Sequence, residues 1–473
     1  MEPGRSATFP VPRASFLVVQ PSGVHYRWGP GMSMIAASYL AYFVAVVAFP
    51  GTVFWRRLTG GTAWFAVDAI LGAGLGLALE VLVYPVGRWL DVPLLPLLLT
   101  AFALGLVVAF PARASTRKPF PWWAMAGLMV SVGVASAWYL RVGSHLIALD
   151  GPAANRPNSD SPFQLSLGAE LTHHFPPQIP YVAGEPLQYH WMAYNHTAAA
   201  HWITGIELDV LTHRFVPFSM ILMTALGAAA VAVVLAGRAV AAPIGAGLTV
   251  LAGDLAPWPW AETNTLYHDS PLSMGELISA TQAFSTVLLL PLIGVTALIL
   301  RRSGDQSMGH VAGLLVVAAV LIAVLSASKA TALPVYGAGL AFGWLYSAIR
   351  RRFDWRITIL GLLSVLFYGL NYVFIAVAAT ALMWQFSLAQ VFFVRNAFWD
   401  QEKLQLNDLA FTAPTKAVLE TLRTKYGVRW LLFDERVNPV PAALNHLATP
   451  RRTSGTVHVY ELATPPVIPT PRP

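Results

Sequence analysis

Nine apolar runs of roughly bilayer-spanning length dictate the solvent in which this chain can fold. A hydrocarbon core about 30 Å thick needs about 20 mostly apolar residues in helix. The runs 32–53, 64–84, 92–111, 122–140, 215–235, 277–300, 311–325, 333–349 and 357–383 answer to that length. The whole chain of 473 residues is 56% hydrophobic and only 11% charged, with a mean hydropathy of +0.57. A water-facing surface cannot be built from such a composition, so the sequence predicts a multi-pass membrane protein. A tenth run, 239–253, is short and carries Pro243 and glycines. Hydropathy alone leaves it as either a span or a re-entrant hairpin.

Charge decides between the two. Cytoplasmic loops are enriched in Lys and Arg, and here the clusters are Arg56-Arg57, Arg113 with Arg117-Lys118, Arg238, Arg301-Arg302, and Arg350-Arg351-Arg352 with Arg356. They fall in every second loop only if the short run also crosses. Ten transmembrane helices are therefore expected in a plasma membrane. The 1–30 tail, the 141–213 loop, the 254–275 loop, Lys329 and the C-terminal segment then lie outside. On this reading the net charge of +7 sets orientation, and no nucleic-acid partner is expected. Cysteine is absent, which excludes disulfides, a thiol nucleophile and thiolate metal ligation. The N-terminus lacks the pattern of a cleavable signal peptide, so the first span is expected to target the chain.

The composition turns soluble after Met383. Residues 415–426 read as an amphipathic helix with Val418, Leu419 and Leu422 on one face and Gly427 as its C-cap. Residues 428–433 and 456–462 read as strands. The expected architecture is an all-α polytopic membrane domain over 31–384, a small extracytoplasmic α/β domain over 385–463, and a proline-rich tail over 464–473.

The chemistry-bearing residues concentrate between Ser159 and Asn195, where Asp160, Glu170, His173, His174, Glu185, Tyr189 and His190 crowd together in a charge-poor chain. Ser161-Pro162 reads as a helix start with Asp160 just before it, and Pro176-Pro177 stop the helix after about Phe175. Asp160 either complements the helix dipole or serves as a base or metal ligand. His173 and His174 either stabilise the helix end or meet substrate. From Gln188 a helix pattern resumes, with His190, Tyr194, Thr197 and His201 on one stripe. That stripe either lines a polar cavity or belongs to an interfacial helix anchored by Trp191 and Trp202. The 254–275 loop has no Lys or Arg but carries Asp254, Glu262, His268 and Asp269. Lys329 either snorkels to the headgroups or contacts a lipid phosphate. No HExxH, GxSxG, Walker loop or dinucleotide fingerprint is present.

The order DSPFQ, a short helix, then FPPQIPYVAGEPLQYHW resembles the first large outer loop of GT-C-type membrane glycosyltransferases, in particular a bacterial and archaeal branch with an FPP…P…G…L.YH signature. SASKATALPVYGAGL resembles their lysine-bearing later span, and KYGVRWLLFD with GTVHVYEL resembles their small outer domain. The likeness runs loosely from about Asp150 onward. It implies transfer of a hexosyl or pentosyl group from a polyprenyl-phosphate carrier in the membrane to an extracytoplasmic acceptor of the cell envelope. It further implies that an acidic residue of the first outer loop acts as base or helps to hold a divalent ion, Mg or Mn. Asp160 matches that position, Glu185 is a second carboxylate, and Lys329 would meet the phosphate. His173, His174, Tyr189, His190 and Gln164 would face substrate. Gln164 stands where several relatives carry histidine, and four spans precede the loop where many members have one. A lipid-phosphate leaving group needs positive charge and the acceptor hydroxyl needs a base, so the residue types suit the chemistry.

Two other classes compete. A transporter or lipid flippase would line a path with ionisable groups, yet those groups are expected in outer loops and not at mid-span, and no repeated halves with broken helices are evident. A non-catalytic scaffold of the same fold draws its support from Gln164.

Overall fold

A computed structural model describes residues 30–110, 118–140, 160–180, 187, 189–251, 279–301, 308–329, 331–351, 354–371, 401–426, 428–435 and 439–462. The described residues are mostly helical, 77%, with one small sheet among them near the C-terminus. It divides into two compact units. Residues 25–177 with 187–380 form the membrane unit, and residues 381–473 fall in the other with 1–24 and 178–186.

In the membrane unit a helix falls on each of the ten apolar runs. The order is α1 (Pro30–Tyr42), a π-helical turn (Phe43–Ala48), α2 (Phe49–Thr59), α3 (Phe65–Trp89), α4 (Leu97–Ala109), α5 (Trp122–Trp138), α6 (Asp160–His173), α7 (Tyr194–Thr204) and α8 (Leu208–Val210). A second π turn (Leu211–Phe215) follows, then α9 (Val216–Ala236), α10 (Ala241–Leu251), α11 (Ala280–Leu300), α12 (Met308–Ser328), α13 (Ala332–Ile349) and α14 (Trp355–Asn371). Among the described residues six stretches are long and apolar enough to cross a membrane: Met32–Thr59, Phe65–Trp89, Leu208–Ala236, Ala280–Leu300, Met308–Ser328 and Ala332–Ile349. The helices α4, α5, α10 and α14 are shorter. The run with Pro243 is helical, packed on α5 and α9, but its 11 residues reach only about half of the hydrocarbon thickness. The part of the last run beyond Asn371, the 1–29 tail and the 254–275 loop lie outside the described residues.

The alternation of basic loops becomes a polarity of the bundle. Arg56 pairs with the fully buried Asp68 at 2.5 Å, Arg57 donates to the Leu106 and Phe110 carbonyls, and Lys118 N–H donates to Ala63 O at 3.2 Å. Arg301 reaches Val234 O, and Arg356 reaches Ile299 O at 2.6 Å. These contacts gather one end of the bundle. At the other, Tyr84 donates to Leu171 O at 3.0 Å and Arg88 to His173 O at 3.2 Å. Tyr139 donates there to Arg214 O at 2.8 Å.

Glycine sets the closest crossing. A Cβ on Gly76 would lie 1.9 Å from Val47 O and one on Gly51 would lie 2.1 Å from Gly72 O. Only glycine lets α2 and its π turn approach α3 so nearly, the small-residue packing typical of helices in lipid. One turn beyond Gly76 on α3 comes Glu80, and one turn before Val47 comes Tyr42. The crossing thus delivers these two side chains to each other.

The second unit contains α15 (Gln401–Thr412), α16 (Lys416–Tyr426), β1 (Trp430–Asp434), α17 (Leu444–Leu447), β2 (Thr449–Ser454) and β3 (Val457–Glu461). The sheet order is β1-β3-β2, antiparallel throughout, with Leu431 opposite Tyr460 and Phe433 opposite His458. Leu419 and Leu422 of α16 bury against Leu431, Phe433 and Tyr460. The expected helix and two expected strands stand within two residues of their predicted bounds, while the Gly427 cap lies outside the described residues. Strand β2, TPRRTS, was not expected, because its polar residues and Pro450 give no strand pattern. It forms as the partner of β3 across a two-residue turn at Gly455, whose φ of +60° suits glycine.

Candidate functional site

The loop of interest folds at the end of the bundle opposite the basic contacts. Helix α6 begins at Asp160, so this residue belongs to the first turn and does not precede it. The helix stops at His173, two residues before the expected end. His174 is exposed and pairs with Glu170 at 3.1 Å, four residues back on the same helix. His173 is exposed, and its carbonyl accepts from Arg88. Both imidazoles thus sit at the helix C-terminus, where the dipole favours positive charge. Gln164 is buried. Phe163 stacks edge-on against Tyr189 at 5.2 Å, folding the later part of the loop back onto α6. Glu185 lies outside the described residues.

The helix expected from Gln188 starts only at Tyr194. Turns closed by Trp191 N–H to Tyr189 O and Tyr194 N–H to Trp191 O occupy the stretch before it. His190 is therefore off the helix, and the four-residue stripe does not form. Tyr194 and Thr197 are buried in the bundle, and His201 donates to Ile206 O at 2.8 Å. His190 lies instead in the electrostatic field of Lys329. That lysine follows α12, and its ammonium reaches Ser279 Oγ, just ahead of α11, at 3.4 Å. Burial and then the Lys329 charge push the His190 imidazole down to about 4 from its ordinary 6.5. At neutral pH the cluster therefore holds one cation, a hydroxyl and a neutral imidazole. Such a set of donors binds an anionic oxygen without stacking a second positive charge.

A second polar cluster lies deeper and was missed from the sequence. Glu80 of α3 and His196 of α7 are both wholly buried, and His196 Nδ1 stands 2.6 Å from Glu80 Oε2. Tyr42 donates to the other carboxylate oxygen. The direction of the remaining bonds follows from their end. Ser219 donates to Val216 O at 2.8 Å, so its Oγ accepts from Tyr39 at 2.9 Å. The Tyr39 oxygen then accepts from His196 Nε2–H at 3.1 Å. A single proton is left for the short Nδ1···Oε2 bond, shared by imidazole and carboxyl. The expectation that ionisable groups avoid mid-span is thus corrected at Glu80, which lies well inside the long apolar helix α3 and is buried with His196 as its partner. A carboxylate in an otherwise apolar span is itself the signal, since intramembrane carboxylates are costly unless paired.

A third group surrounds the second π turn. Asp209 Oδ1 accepts from His213 Nδ1 at 2.5 Å. Tyr139 donates to the carbonyls of His213 and Arg214, and Arg214 Nη1 donates to His213 O at 2.8 Å.

Among the described residues, no group of three or more His, Asp or Glu could hold a metal ion. No family model matches the chain, and no curated protein or solved structure matches it either.

Proposed function

We propose that this protein is an integral membrane glycosyltransferase that moves a sugar from a polyprenyl-phosphate carrier to an acceptor on the outer side, through ten membrane-crossing helices. The observation that carries this reading is the Lys329 ammonium bonded to the Ser279 hydroxyl, with the buried, neutral His190 imidazole within the field of its charge. A phosphate leaving group takes on negative charge as the sugar departs, and a lysine with a hydroxyl and a neutral imidazole is suited to receive it. Asp160 supplies the acidic residue of the outer loop and Glu185 a second carboxylate of the same loop. A divalent ion, Mg or Mn, belongs to the same reading. The C-terminal α/β unit is extracytoplasmic on the same reading, and the membrane is the plasma membrane. The deciding experiment is sugar transfer from a panel of polyprenyl-phosphate sugars by purified protein in lipid. Transfer from none of them, by folded protein, removes this reading.

Replacing Lys329 with alanine is expected to weaken use of the carrier by roughly 10- to 100-fold, the range for losing a hydrogen bond to a charged group. An unchanged apparent affinity argues against phosphate contact. In the same variant the His190 pKa rises from about 4 but stays under 6.5, because burial, the larger cause, remains. Histidine NMR titration reads both values. The linkage runs one way: between about 6.5 and 4 the unfolded chain binds the extra proton, so the stability His190 contributes is present above that window and lost through it as pH falls.

Sidedness is read by cysteines placed at His174 and Ser303 in this cysteine-free chain. An impermeant thiol reagent added to intact cells is expected to label the first alone, and labelling of the second alone inverts the topology.

One observation favours a second reading, proton-coupled transport: the buried Glu80–His196 pair is the kind of group that carries protons through bundles. Among the described residues its hydrogen bonds run through Tyr39 and Ser219 to the Val216 carbonyl.

A further inference from the structure

The π turn Leu211–Phe215 holds two orphaned polar atoms on consecutive residues. His213 is 4% exposed and Thr212 is 7% exposed. His213 Nε2 and Thr212 Oγ1 have no hydrogen-bond partner among the described residues. Buried polar atoms are almost always paired, so two neighbours left open need an explanation. A π turn is a helical irregularity found often at functional sites, and it is held here by Tyr139, whose hydroxyl takes up the carbonyls of His213 and Arg214. The carboxylate of Asp209 fixes the other ring nitrogen. An ionised carboxylate only accepts, so Nδ1 carries the proton, and in the neutral ring Nε2 presents a bare lone pair. A carboxylate that orients an imidazole, with the far nitrogen open, is the arrangement by which proteins prepare a general base. Helix α6, with Asp160 at its start, packs on this turn and on α8.

We propose that His213 is the base that takes the proton from the acceptor hydroxyl, with Asp209 as its positioning residue and the Thr212 hydroxyl as a second contact to the acceptor. This rests on the transferase reading. In the step, the acceptor oxygen forms its bond to the sugar C1 while the bond from C1 to the carrier phosphate oxygen breaks. The electron pair leaves on that phosphate, which Lys329 faces, and the hydroxyl proton passes to His213 Nε2. The imidazolium so formed is offset by Asp209.

The test joins two measurements on the full protein in lipid. The first is 15N NMR of histidine-labelled protein, with His213→Gln to assign the signal by subtraction. It is expected to show the neutral ring with Nδ1 protonated and Nε2 bare. Asp209→Asn is expected to reverse the tautomer, as an amide can donate to Nδ1. A protonated Nε2 in the wild type overturns the inference whether or not any sugar is transferred. The second is the transfer assay, in which His213→Gln should lower kcat by about 10²- to 10⁴-fold with KM for the carrier little changed. Transfer by wild type with an undiminished rate in His213→Gln overturns the base while the transferase reading stands. Transfer by neither protein overturns the transferase reading and the base with it.

Discussion

Replacing Glu80 with alanine is expected to lower the stability of the membrane unit by roughly 3–5 kcal/mol, the cost of leaving one member of a buried pair without its partner. The carboxylate is wholly buried, and three hydrogen bonds depend on it directly or through His196: those from Tyr42, from His196 Nδ1 and from His196 to Tyr39. The pair joins α7 to α3, with α1 bound in through both tyrosines, and Asn195 Nδ2 adds a bond to Val81 O at 3.2 Å. Glu80→Gln keeps an oxygen for Tyr42 and should cost less than the alanine variant. Thermal unfolding of purified protein in lipid ranks the three. A midpoint unmoved by Glu80→Ala shows that the pair does not anchor α7. The variant Glu80→Leu with His196→Phe separates stability from function, because replacing both members of a buried pair by apolar groups often restores or raises stability. A stable double variant that has lost activity assigns the pair to function.

The second large effect belongs to Asp160→Asn. Under the transferase reading it abolishes transfer while leaving the amount of protein in the membrane unchanged. The substitution keeps size and keeps a polar group in the first turn of α6, where Asn suits a helix start nearly as well as Asp. Stability should therefore move little, and the loss would lie in the chemistry. Transfer at the wild-type rate removes Asp160 from the mechanism. The readout pairs the sugar-transfer assay with quantitation of membrane-inserted protein, so that a missing enzyme is not mistaken for an inactive one.

Apolar length was enough to find a helix on each of the ten apolar runs, six of which belong, among the described residues, to stretches long enough to cross a membrane. This signal survives in one sequence because it is a property of a single segment facing a single solvent. Pairings between distant segments leave no such trace. Nothing in the local sequence says that Glu80 and His196, far apart along the chain, share a proton, or that Lys329 reaches Ser279. The helical stripe through His190, Tyr194, Thr197 and His201 misled for a related reason. Spacing assumes that the helix is already running, whereas the turns at Tyr189 to Met192 delay it to Tyr194. Strand β2 shows the same limit in the small unit, where pairing with β3 makes a strand out of residues with little preference for one.

The sheet order β1-β3-β2 also fixes when the small unit can exist during synthesis. Strands β1 and β2 hydrogen-bond to β3 and not to each other, and β3 is the last of the three to leave the ribosome. Until Val457–Glu461 has emerged, Leu431 and Phe433 have no central strand to pair with. The apolar helices of the membrane unit are by then already made, so the unit closes as a late step of biogenesis. A stop codon anywhere upstream of Val457 would remove the strand that both others need, and with it the whole sheet.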